Sequence, residues 1–77
     1  MQTFLVTGNV TIIADDFGKL RIQNKSHQAR IVTVDNAKYD VGPDELVGGN
    51  IADGSHEAKV YNEVGNYLGC QYFKTPS

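Results

Sequence analysis

The chain has 77 residues, 40% of them hydrophobic, a single cysteine and a net charge of −2. That is enough for one domain, residues 1–77, and too little for two. One cysteine excludes an internal disulfide, and the acidic balance argues against strong general affinity for DNA or RNA.

A chain this short buries only about 60% of the surface that its unfolded form exposes. With no disulfide to help, a homo-oligomer, most simply a dimer, is expected. The longest unbroken apolar runs are three residues, such as Ile12-Ile13-Ala14, so no segment reads as a membrane span. The first seven residues have neither a basic start nor a long apolar run, and the cytoplasm is the expected compartment.

Along the chain, Phe4, Val6, Val10 and Ile12 share one phase of a two-residue period, while Thr7, Asn9 and Thr11 take the other. This is the signature of a half-buried strand, with Gly8 as a bulge or bend. Asp15-Asp16-Phe17-Gly18 reads as a turn. Leu20 and Ile22 then point inward from a short strand, Asn24-Lys25-Ser26-His27 turns, and residues 29–34 form a strand with Val32 and Val34 in one phase. The pattern predicts a β-hairpin over residues 19–30 and beyond. Tyr39-Asp40-Val41 is a short strand stopped by Gly42-Pro43. Residues 43–47 suit one helical turn, with proline first and acids near its start, ended by Gly48-Gly49. A loop follows to Ser55. Residues 58–62 and 67–73 are strands separated by a turn at 63–66, and residues 74–77 read as a frayed tail.

The expected fold is therefore all-β, or a β-dominated α+β arrangement. It is a small curled antiparallel sheet or an SH3-like or OB-like barrel of about five strands, with at most one short helical turn.

No residue pattern names a reaction. Cys70, His27 and His56 are too few and too far apart for a zinc site, and the histidines read as surface residues. Cys70 sits in an apolar strand and reads as a buried structural thiol. Neither a phosphate-cradling glycine motif nor a serine-nucleophile motif occurs. The chain is read as a non-enzyme without a cofactor. Asn9-Val10-Thr11 and Asn24-Lys25-Ser26 match the glycosylation acceptor pattern, and chance explains both.

Charge is unevenly spread. Residues 19–30 carry Lys19, Arg21, Lys25 and Arg30 and no acid, a net +4, whereas residues 35–63 sum to −5. The basic stretch is the candidate contact for RNA or single-stranded DNA, with Phe17 the only nearby aromatic for base stacking. Its alternative is a strand edge kept soluble by charge. Tyr39, Tyr61, Tyr67 and Tyr72 lie in the second half with the acids. Tyr39, Asp40, Asp44, Glu45, Tyr61 and Tyr67 are the candidate surface for a protein partner, since tyrosine supplies rigid contact area at small entropy cost. If Val60 is in the core, its neighbour Tyr61 faces out. The leading expectation is a small non-enzymatic binding module acting through protein–protein contact; the alternative is a small barrel that binds nucleic acid through residues 19–30. Short acidic chains without motifs are frequent among phage and mobile-element accessory proteins, including inhibitors. That is an association with size and composition and carries no family resemblance.

Overall fold

The computed structural model describes residues 2–75, with the side chains of Gln2, Phe4 and Leu5 outside the described set. Eight strands follow one another: β1 Gln2–Val6, β2 Val10–Ala14, β3 Lys19–Asn24, β4 Arg30–Val34, β5 Ala37–Val41, β6 Leu46–Asn50, β7 Gly54–Asn62 and β8 Tyr67–Thr75. They form two antiparallel four-stranded sheets, ordered β1-β2-β3-β6 and β5-β4-β7-β8. The all-β expectation is met. There are eight strands rather than about five, and the sheets stay separate instead of closing into a barrel.

Period-two patterning decides what lies between the sheets. Val10, Ile12, Leu20 and Ile22 from one sheet meet Val32, Val34, Val41, Ala58, Val60 and Phe73 from the other, all buried. Each fully buried aliphatic side chain contributes roughly 1.5–3 kcal/mol. The expected inward phase of Phe4 concerns a side chain outside the described set.

Two expected connections are corrected. Gly8 does not bend one long strand; the chain reverses there. Val6 pairs with Val10, leaving the three-residue turn Thr7-Gly8-Asn9. Gly8 and Asn9 have φ of +77° and +64°, a left-handed pair that glycine and asparagine accept most readily. The hairpin over residues 19–30 does not form either, because β3 and β4 belong to different sheets. Instead β3 pairs with β6 and β4 with β5, with the tip at Asp35-Asn36. Residues 19–50 thus make one long two-stranded ribbon folded in half, its base in one sheet and its tip in the other.

Asn24 holds the fold of this ribbon. It is 0% exposed. Its side-chain amide nitrogen lies 2.8 Å from the Gln28 carbonyl, 3.0 Å from that of Gly42 and 3.2 Å from that of Val41. Its Oδ1 accepts from the Ser26 amide at 2.9 Å. Backbone bonds continue across the bend, from Asn24 N–H to Glu45 C=O at 2.9 Å and from Asp44 N–H to Ser26 C=O at 3.2 Å. With its amide consumed inside the protein, Asn24 is no glycosylation acceptor.

The helical turn expected at residues 43–47 is absent. Asp44 has φ +57°, outside the right-handed helical region, and Glu45 N–H closes a tight turn on the Gly42 carbonyl at 3.1 Å. Leu46 onward is claimed by the ladder to β3, which also absorbs Gly48 and Gly49. The expected frayed tail is corrected in part: Lys74 and Thr75 belong to β8, with Thr75 buried, while Pro76 and Ser77 lie outside the described residues.

Both sides of the sandwich are closed by contacts between sheets. At one side the β1–β2 turn docks on the second sheet. Arg30 donates from Nε to the Gly8 carbonyl at 3.2 Å, and Thr7 packs so tightly on Gly69 that a Cβ there would sit 2.5 Å from its methyl group. At the other, the Tyr39 hydroxyl covers Gly49, where a Cβ would come within 2.7 Å of it.

Replacing Asn24 with alanine removes the donor from the buried Val41 carbonyl and from the partly buried carbonyls of Gln28 and Gly42. It should cost at least about 2 kcal/mol of unfolding free energy, measured by urea denaturation. A loss under about 0.5 kcal/mol would show that the bend does not depend on this carboxamide.

Candidate functional site

The registers of β5, β4, β7 and β8 lay out the outer face of the second sheet row by row. Asp40, Ile31, Tyr61 and Tyr67 stand side by side, and Lys38, Thr33, Lys59 and Cys70 form the next row. Glu57 and Tyr72 make a third row on the two long strands. Val60 is fully buried, so alternation turns Tyr61 outward as expected. Tyr67 and Tyr72 are 56% and 68% exposed. Tyr61 and Tyr67 pack edge to face with ring centroids 5.7 Å apart. A β-bulge opposite Val60 and Tyr61 makes Leu68 an extra residue in β8.

A hydrogen bond to Cys70, helped by burial, pushes the Tyr67 hydroxyl up to about 12. A hydrogen bond to the Glu57 carboxylate raises that of Tyr72. Both phenols are therefore neutral at physiological pH. The charges beside them pair with each other: Lys38 Nζ is 3.9 Å from Asp40 and Lys59 Nζ is 3.7 Å from Glu57.

The expected partner surface is only partly assembled. Asp40, Tyr61 and Tyr67 share this face. Tyr39 does not: it lies opposite Val32 on the inner side, half-buried against the core. Asp44 and Glu45 sit at the ribbon bend, where Glu45 accepts from the Gly42 N–H at 2.8 Å and Asp44 lies 3.7 Å from His27. Tyr72 joins the face although it was not among the expected anchors. Its alternation with buried Phe73 was the available signal. Cys70 is exposed rather than buried, because an outer position on an edge strand faces solvent.

The basic residues are not brought together. Lys19 and Arg21 project from the outer face of β3 into a shallow concavity of about 530 Å³, lined also by Asp15, Gly48, Gly49 and Asn50. Lys25 is exposed at the bend. Arg30 is half-buried in the other sheet, holding the Gly8 and Ala29 carbonyls. The ribbon fold separates Arg21 from Arg30, so the four cations do not line one path. Phe17 stands 89% exposed on the turn before Lys19.

His56 is the largest departure from the expected surface histidines. Its side chain is 7% exposed, with Nδ1 2.6 Å from Asp35 Oδ2. Nε2 lies 2.7 Å from the Ala52 carbonyl and 3.1 Å from Thr75 Oγ1. The order carboxylate, imidazole, hydroxyl is that of a nucleophilic triad, but the hydrogen bonds run the wrong way. Thr75 is buried and donates its hydroxyl proton to the Ala52 carbonyl at 2.7 Å, the same oxygen that faces Nε2. The threonine proton is committed to that carbonyl and does not point to the imidazole. The cluster is a clip that ties the β4–β5 tip, the β6–β7 loop and the end of β8. Among the described residues, no group of three His, Cys, Asp or Glu side chains converges on one point. No helix there is long and apolar enough to cross a membrane.

No protein-family model, curated protein or solved structure matches this chain.

The Asp35 carboxyl is held below its ordinary value by the His56 hydrogen bond first and the Glu57 amide second. A depressed carboxyl stabilises the native state fully above the ordinary range near pH 4, and the contribution is lost as pH falls through the lowered value. Between about pH 5 and pH 2 the wild-type melting temperature should therefore fall more steeply than that of Asp35→Asn. The variant should also melt lower at neutral pH. Superimposable pH profiles would remove the clip from any role in acid sensitivity.

Proposed function

We propose that this protein is a non-enzymatic binding module that engages a protein partner through the outer face of the β5-β4-β7-β8 sheet. The observation that carries this reading is the grouping of Tyr61, Tyr67 and Tyr72 on two adjacent strands, away from the core. Tyrosine and other rigid aromatics dominate interface hot spots because they bury large areas while freezing few torsions. Here Tyr61 and Tyr67 already pack edge to face, which lowers that ordering cost further.

The charges of the face refine the kind of partner. Lys38 and Lys59 each have an acid within 4.0 Å, so the face has little net field. Affinity then comes from aromatic contact and depends weakly on salt. Size and composition suit an accessory or inhibitor protein of a phage or mobile element. The exposed free thiol of Cys70 suits a reducing cytoplasm.

The test is capture of a partner from the source cells with the wild-type chain, followed by titration of the purified pair. Tyr61→Ala and Tyr72→Ala should each weaken binding by about 2 kcal/mol, with unfolding free energy changed by less than about 1 kcal/mol. A partner bound equally well by the double variant would refute the assignment. So would a chain whose sole ligand is single-stranded nucleic acid, bound with steep salt dependence.

A further inference from the structure

We infer that the β8 edge pairs with the β8 edge of a second copy, making a two-fold dimer with one continuous eight-stranded sheet. This does not rest on the partner proposed above.

Among the described residues β8 lies at the end of its sheet, with β7 as its one hydrogen-bonded neighbour. Natural edge strands are kept from pairing by short length, charge, proline or a covering segment. β5 and β6 follow that rule, with five residues each, and β5 carries Lys38 and Asp40. β8 has nine residues, and residues 64–73 hold no charged side chain, in a chain that is 21% charged. Tyr67, Leu68, Cys70, Gln71 and Tyr72 are all exposed along it. One irregularity, the bulge at Leu68, sits near its start, leaving Gly69–Thr75 in regular register with β7.

The charges that bound this neutral run select the occupant. Glu63 precedes it, in the turn before β8, and Lys74 lies at its far end. In an antiparallel pair of β8 strands centred on Cys70, Lys74 of each copy falls opposite Asn66 of the other, beside the turn that holds Glu63, so two favourable charge contacts arise by symmetry. A parallel pair would set Lys74 beside Lys74. The edge is thus complementary to itself in the antiparallel sense, as an isologous interface requires. Opposite residues in such a pair must both offer, or both withhold, their backbone groups, so a single residue sits on the axis. Cys70, in the middle of the exposed run, is the axis residue that also meets the charge condition. An association of this kind also supplies the burial that a small core without a disulfide lacks.

Purified protein at about 1–200 μM, examined by sedimentation equilibrium under reducing conditions, should show a monomer–dimer equilibrium. A short bis-maleimide should link Cys70 to Cys70 in the dimer and yield no larger species, because each chain has one thiol. Cys70→Lys and Gln71→Lys place like charges across the axis and should each weaken dimerisation by about tenfold or more. Circular dichroism and melting of each variant identify any loss of fold, and two independent positions keep the test open if one variant fails to fold. A wild-type chain that stays monomeric throughout this range overturns the inference. So does a dimer that neither cross-links through Cys70 nor responds to either lysine.

Discussion

The architecture depends on one buried carboxamide. A two-stranded ribbon spanning residues 19–50 would otherwise run straight and expose one greasy face along its length. Asn24 sits where the ribbon folds over, and its amide serves carbonyls from both arms, Gln28 on one and Val41 and Gly42 on the other. The interior makes this interaction strong and its loss expensive, since the Val41 carbonyl is buried away from water. Folding the ribbon sets Leu20 and Ile22 across from Val32 and Val41, which turns one amphipathic ribbon into two facing layers. The remaining strands then add to edges already in place: β1 and β2 beside β3, and β7 and β8 beside β4.

The same fold distributes the charged and aromatic side chains. Arg21 and Arg30 are nine residues apart in sequence, yet the bend sends one to the solvent face of the first sheet and the other to a structural contact with the Gly8 carbonyl. Asp44 and Glu45 are spent on the bend itself. What remains unclaimed by the framework is the outer face of the second sheet, where the long β7–β8 hairpin carries Tyr61, Tyr67 and Tyr72. The Asp35–His56–Thr75 clip secures the far end of that hairpin to the ribbon tip, so the face rests on a support fastened at both ends.

Local pattern was legible and long-range geometry was not. Alternation alone placed Val10, Ile12, Leu20, Ile22, Val32 and Val34 inside, and it turned Tyr61 out once Val60 was taken as core. The reversal at Gly8 was missed because Val6 and Val10 keep the same phase on either side of a three-residue turn as they would along one strand. The Gly-Asn pair was the turn signal. The crossing from β3 to β4 looked like a hairpin because turn residues separate two strands in both cases. Only the pairing of residues 19–23 with residues 46–50 distinguishes them, and no local window contains that information. His56 was misread for the same reason: its partners come from residues 35, 52 and 75, three separate parts of the chain. Residues 43–47 carried real helix-start chemistry, but the ladder to β3 outweighs what a single helical turn can offer.

The tyrosine face and the β8 edge meet without competing. One is a surface normal to the sheet and the other is a line of backbone groups in its plane, so both can be occupied at once. Pairing two β8 strands would bring Tyr67 and Tyr72 of each copy toward the same axis, doubling the aromatic area on one side of a continuous sheet. Two weak sites held in fixed relation bind a two-fold or extended target far more tightly than either does alone, because the second contact is made at high effective concentration. A domain with so small a core gains in two ways from that arrangement. The dimer would bury a long edge with no charge between residues 64 and 73, and it would turn a modest patch of tyrosines into a contact nearer the size that stable protein complexes need.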